Sequence, residues 1–150
     1  MKSLLLILVT VIFLTGCQES PTGRNRLALV PEAVLADMGQ ESFAQMKQQN
    51  AVITRPDINR LVQCITEALV SAAHTRYPDA PMPQSWEIAV FENATPNAFA
   101  LPGGKIGVHS GLLELAENQA QLATVIGHEI AHVLADHGNE RLTQELGLQA

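Results

Sequence analysis

Apolar positions change period along the chain, and each change marks an element. Between Pro31 and Gln49, Val34, Leu35, Met38 and Met46 mark part of a helical stripe, with Pro31 in the first turn and Gly39 weakening it. From Pro56, a second stripe is clearer: Ile58, Leu61, Val62, Ile65 and Leu69 repeat at helical spacing behind the capping start Thr54-Arg55-Pro56-Asp57, and should stop near His74. Three prolines in "PDAPMPQS" (78–85) make a loop. In "SWEIAVFE" the period drops to two, with Trp86, Ile88 and Val90 alternating with Glu87, Ala89 and Phe91, so this is a strand. "NATPN" turns the chain, and "AFALPGGKIGVHS" reads as a hairpin with its tip at Gly103 and Gly104. Ser110 can cap a short helix through Leu115. Asn118, with Gln121 as capping-box partner, can cap a long helix in which Leu122, Val125, Ile126 and Ile130 are apolar. That helix should reach about His137, with Gly138 as its break, after which "NERLTQEL" starts another turn or continues the helix.

The order helix, helix, strand, hairpin, helices predicts an α+β fold with two leading helices and a small, mostly antiparallel sheet. The 150 residues suffice for one domain, and 47% apolar against 16% charged residues suits a folded core. A net charge of −6 without a basic run argues against nucleic acid as partner and is compatible with peptide substrates.

The first residues stand apart. "MKSLLLILVTVIFLTGC" has one Lys, then an apolar run from Leu4 to Leu14 that is short for a spanning helix and has the proportions of a secretory signal. Its end, Leu14-Thr15-Gly16-Cys17, resembles the bacterial lipobox, whose cysteine is lipidated and becomes the mature N-terminus; an ordinary signal peptide or uncleaved anchor is the alternative. On the lipobox reading, residues 1–16 are a signal peptide, residues 17–30 (around "ESPTGRNR") a tether, and residues 31–150 the domain. Gln18 in place of the Asp of inner-membrane retention points to the periplasmic face of the outer membrane. Cys64 is then without an intrachain partner, and a buried free thiol is the simpler reading of it.

The candidate chemistry sits in "TVIGHEIAHVLADHGNE", which contains His-Glu-x-x-His. At about 100° per residue, His128 and His132 lie one turn apart on one helix face, where both imidazoles can reach a single zinc ion. Glu129 lies about 100° round from His128, placed to act as general base on a water whose pKa the metal lowers toward about 7. A structural histidine pair is the alternative. A hydrolytic zinc needs a third protein ligand. His137 is about 180° from His128 on a continuous helix, so it joins only if the helix breaks before it. Asp136 suits a supporting role or solvent, and Glu140 and Glu145 would need a tight reversal.

"NAFALPGGKIGVHSGLLELAENQAQLATVIGHEIAHVLADHGNER" resembles the zinc metallopeptidases of the HtpX and CAAX-prenyl-protease type, and in particular their periplasmic lipoprotein members. The resemblance is dense from Asn97 to Arg141. It implies that His128 and His132 bind zinc and that Glu129 is the base. It also implies a gluzincin fold, in which the third ligand is a Glu on a separate downstream helix that this chain does not contain. The C-terminal helices would then be missing and the domain incomplete. In gluzincins an edge strand beside the active-site helix binds the extended substrate, and Asn97, Ala98 and Phe99 resemble its start; a plain strand start is the alternative for Asn97. His109 is expected at a hairpin end or helix entry, and Lys105 as a solvated turn residue.

The expectation is a zinc endopeptidase of unfolded or misassembled envelope proteins, membrane-anchored through Cys17. The alternatives are a truncated, inactive lipoprotein fragment of such a peptidase and a structural lipoprotein with an accidental motif.

Overall fold

The computed structural model describes residues 17–19 and 25–147; the expected signal segment 1–16 and tether residues 20–24 lie outside the described residues. Strands β1 (Cys17–Glu19) and β2 (Asn25–Leu27) pair antiparallel within the expected tether. Helices α1 (Glu32–Gln49) and α2 (Pro56–Arg76) follow, then β3 (Glu87–Phe91) and the hairpin strands β4 (Ala98–Leu101) and β5 (Lys105–His109). The chain continues through α3 (Ser110–Leu115), α4 (Gln119–Leu134) and α5 (His137–Glu145). The architecture is α+β as expected. No helix among the described residues is long and apolar enough to cross a membrane.

The main sheet has the order β3-β5-β4. The hairpin pair is antiparallel, with Phe99 opposite Gly107, whereas β3 runs parallel to β5, with Val90 opposite Val108. The exception to antiparallel pairing has a simple cause. The connection between β3 and β4 spans the width of two strand spacings, about 10 Å, so the returning β5 slots between them.

Both faces of this sheet are covered, which is why Ala89, Val90 and Phe91 are all buried despite their alternation. On one face, Val62 of α2 and Leu122, Ile126, Ile130 and Leu134 of α4 pack with Val90, Ala98, Ile106 and Val108. Fully burying each Val, Leu or Ile side chain among them contributes about 1.5–3 kcal/mol. On the other face, Phe43 of α1 meets Phe91 edge-on at 6.0 Å, and Phe91 stacks on Phe99 at 5.9 Å.

Several local expectations change. The buried stripe of α1 is Leu35, Gly39 and Phe43, while Val34 and Met38 are exposed. Gly39 decides this rotation: a Cβ there would run into the Pro102 carbonyl, so the glycine lets α1 rest on the hairpin tip. Cys64 is exposed rather than buried. The N-cap of α2 is Arg55, without a side-chain bond. Ser110 does not cap its helix; its hydroxyl accepts from the Asn93 N–H and donates to the Asn93 carbonyl, both at 3.0 Å, clamping the 92–97 loop. Asn118 caps α4 as expected, accepting from the Gln121 N–H at 3.0 Å.

Lys105 is not a solvated turn residue. It is buried at the start of β5, with Nζ 3.1 Å from Glu87 Oε2, and Lys47 pairs with the other oxygen of Glu87. The hydrogen bond from Lys47 holds the Glu87 carboxyl below its ordinary pKa against the opposing effect of burial, with Lys105 adding to the effect. A lowered folded-state pKa stabilises the fold above the ordinary glutamate range, and the contribution fades as pH falls through the folded value. Glu87→Gln should therefore flatten the loss of stability on acidification below about pH 5. Denaturant midpoints measured across that range check it; parallel curves for wild type and variant would refute it.

Candidate metal centre

Helix α4 positions the histidine pair by what it buries on its other side. Ile126 and Ile130 face the sheet, and two residues further on His128 and His132 lie about 200° round, on the face turned from the core. His128 is exposed and His132 half-buried. The two Nε2 atoms converge to 3.0 Å, with ring centroids 4.5 Å apart. Two ligands held at about 2.0–2.1 Å from one tetrahedral zinc lie about 3.3 Å apart, so this donor pair fits two of its positions. Among the described residues, no three His, Cys, Asp or Glu side chains converge on one point.

Glu129 is half-buried, and its carboxylate makes no hydrogen bond or ion pair among the described residues. It opens with His132 into a groove of about 1360 Å³, whose walls include Leu101, Pro102, Val30 and His137. The groove borders β4, an edge strand without an outer partner among the described residues.

The register of β4 sorts its residues. The His109 N–H donates to the Asn97 carbonyl at 2.9 Å, so residues 97, 99 and 101 turn their backbone groups toward β5. Ala98 and Ala100 therefore turn theirs to the open edge. Of the three residues expected to meet substrate, only Ala98 presents backbone groups outward. Phe99 packs its ring against Phe91, and Asn97 is exposed and lies just before β4. Ala100 escaped the sequence reading because hydrogen-bonding parity is invisible without a register. His109 ends β5 as expected, its Nδ1–H donating to the Thr95 carbonyl at 3.2 Å.

The largest departure is at the end of α4. The helix stops at Leu134, and Asp136 takes a left-handed conformation, φ 53°. Asp tolerates that region better than most residues, at a cost of about 1–2 kcal/mol. A new helix begins at His137, and Gly138, expected as the break, sits inside it. The break brings His137 onto the site, with Nδ1 2.5 Å from Nδ1 of His132. The continuous-helix geometry that kept His137 away does not apply. The available clue was an Asp just before His137, since Asp enters the left-handed region more readily than most residues.

Helix α5 is itself tied to the start of the domain. The buried Asn139 accepts from the Val30 N–H at 3.2 Å and donates to the Val30 carbonyl at 2.8 Å, and the Thr143 hydroxyl accepts from the Leu29 N–H at 3.4 Å. Glu140 is half-buried and Glu145 exposed, and neither completes a metal-holding group with the histidine pair among the described residues. Cys17 lies in β1.

The family model described as "Peptidase family M48" matches residues 56–150. The chain is similar to the mitochondrial metalloendopeptidase OMA1 of Arabidopsis thaliana, 33% identical over 130 residues, covering 85% of this chain and 26% of that protein. It is 29% identical over 144 residues to the Saccharomyces cerevisiae protein of that name, covering 90% of this chain and 42% of the relative. The beta-barrel assembly-enhancing protease of Escherichia coli is 30% identical over 100 residues, 67% of this chain and 19% of that protein. The chain thus spans less than half the length of these curated relatives.

Proposed function

The chain belongs to peptidase family M48, a family of metallopeptidases, and from that membership we propose that His128 and His132 hold a zinc ion while Glu129 is the general base of peptide-bond hydrolysis. The observation that carries the reading is the convergence of the two Nε2 atoms at 3.0 Å on the outward face of α4. A zinc ion there would polarise the scissile carbonyl and acidify a water. Glu129 would accept the proton of that water as it attacks, then return it to the leaving amine. The outward backbone groups of Ala98 and Ala100 would pair with an extended substrate. Main-chain bonding of that kind binds polypeptide with little sequence preference.

Protein substrates follow from membership in a protease family. Unfolded or misassembled envelope proteins are the narrower proposal. Relatives named for β-barrel assembly support it, although others are named as mitochondrial. A lipid on Cys17 would tether the domain to the periplasmic face of the outer membrane, and the lipobox-like Leu14-Thr15-Gly16-Cys17 supports that placement. An inactive, weakly metal-binding lipoprotein is the second reading. It draws on the two-imidazole donor set among the described residues.

Zinc content and casein cleavage of the full chain decide between them. Bound zinc with cleavage, both lost in His128→Ala, is the expected result. Zinc without cleavage would favour the inactive reading, and an unchanged zinc content in His128→Ala would refute the site.

A further inference from the structure

We propose that His137 is a positioning residue: it accepts a hydrogen bond from Nδ1–H of His132 and so turns the Nε2 lone pair of His132 toward His128. The inference rests on the reading of His132 as a zinc ligand and adds a partner to it.

A neutral imidazole carries one proton and can present a lone pair only from its other nitrogen. The Nδ1 atoms of His132 and His137 are 2.5 Å apart, with ring centroids at 4.8 Å and planes tilted by 57°. One proton must lie between two neutral rings at that distance, which leaves two assignments. If His137 donated, His132 would carry its proton on Nε2, aimed at His128 Nε2 only 3.0 Å away, and the metal position would be blocked. If His132 donates, its Nε2 lone pair points at the shared position, on which Nε2 of His128 also converges. Metal binding therefore selects the second assignment. Metal-ligating histidines commonly give their other ring N–H to an acceptor, which fixes both tautomer and ring orientation.

His137 is held where it is by the fold around it. The left-handed Asp136 breaks the helix directly before it. Gly138 backs onto the hairpin, where a Cβ would lie 3.2 Å from Pro102 Cγ. Asn139 grips the backbone of Val30 from both sides. The first turn of α5 is thus braced against the hairpin and the segment leading into α1, and the imidazole it carries is braced with it.

The test uses the full chain, 15N-labelled, first without metal and then titrated with zinc. Long-range 1H–15N spectra above the imidazole titration range should report His132 as the Nδ1–H tautomer in wild type. His137→Ala should release it toward the Nε2–H form and weaken zinc binding by about ten- to a hundredfold. His137→Asn, whose Oδ1 can stand in for the accepting Nδ1, should recover both. The Asn variant carries the test if the Ala variant melts early, since only an acceptor at that point restores the tautomer. An Nε2–H His132 in wild type, or the same tautomer and zinc affinity in wild type and His137→Ala, would overturn the proposal. A wild-type chain that takes up no zinc would overturn the underlying metal reading and this role with it, and the two failures are told apart by the wild-type titration alone.

Discussion

Glu129→Gln should leave zinc binding at the wild-type level and lower peptide hydrolysis by about a hundred- to ten-thousandfold. The side chain keeps its shape and loses only its ability to take a proton. Glu129 is a neighbour of His128 in sequence but faces about 100° away from it, toward the groove beside β4. Its carboxylate has no hydrogen-bond or ion-pair partner among the described residues, so the substitution disturbs no network. Metal content measured beside casein cleavage separates this result from that of His128→Ala, which should lose both. A Glu129→Gln protein with more than about a tenth of wild-type activity would remove Glu129 from the role of base.

Gly39→Ala should destabilise the fold by about 3 kcal/mol. Helix propensity alone predicts the opposite sign, a gain of about 1 kcal/mol for Ala over Gly in a helix interior. The packing term wins because the added Cβ meets the backbone carbonyl of Pro102, which cannot rotate away as a side-chain end could. To accommodate it, α1 must lift from the hairpin tip, loosening Phe43 from its place against Phe91. The hairpin also carries β4, so the groove edge should loosen with it. Urea midpoints for wild type and variant measure the effect, and a variant as stable as wild type would show that α1 does not rest on the hairpin as closely as described.

The same opposition between local rule and tertiary contact explains what could be read from the sequence. Helix α2 and the stripe Leu122, Ile126, Ile130 of α4 were legible because one apolar face repeats at helical period. The hairpin was legible because Pro-Gly-Gly leaves few other conformations, and Gly103 and Gly104 both take positive φ. Helix α1 was legible in extent but not in rotation. Val34 and Met38 carry the hydrophobicity, yet Gly39 faces inward, since its value lies in allowing close approach rather than in apolar area. Lys105 was misread for a related reason: its partner Glu87 is 18 positions away, joined only through the pairing of β3 with β5.

The residue types and spacing of the candidate site are legible in the sequence alone. Two imidazoles and a carboxylate at helical spacing need only the 100° turn of a helix to be placed, and that turn is local. Tertiary structure decided everything that depends on contacts remote in sequence or on a single backbone angle. The rotation of α4 on the sheet sends the histidines outward. The strand order leaves β4 at the edge, and its register exposes the backbone of Ala98 and Ala100 rather than that of Asn97 and Phe99. One left-handed residue, Asp136, brings His137 to His132 from a position that a continuous helix would have put about 140° round from it. A periodic pattern assumes that each residue continues the geometry of the last, so it cannot show where that geometry breaks.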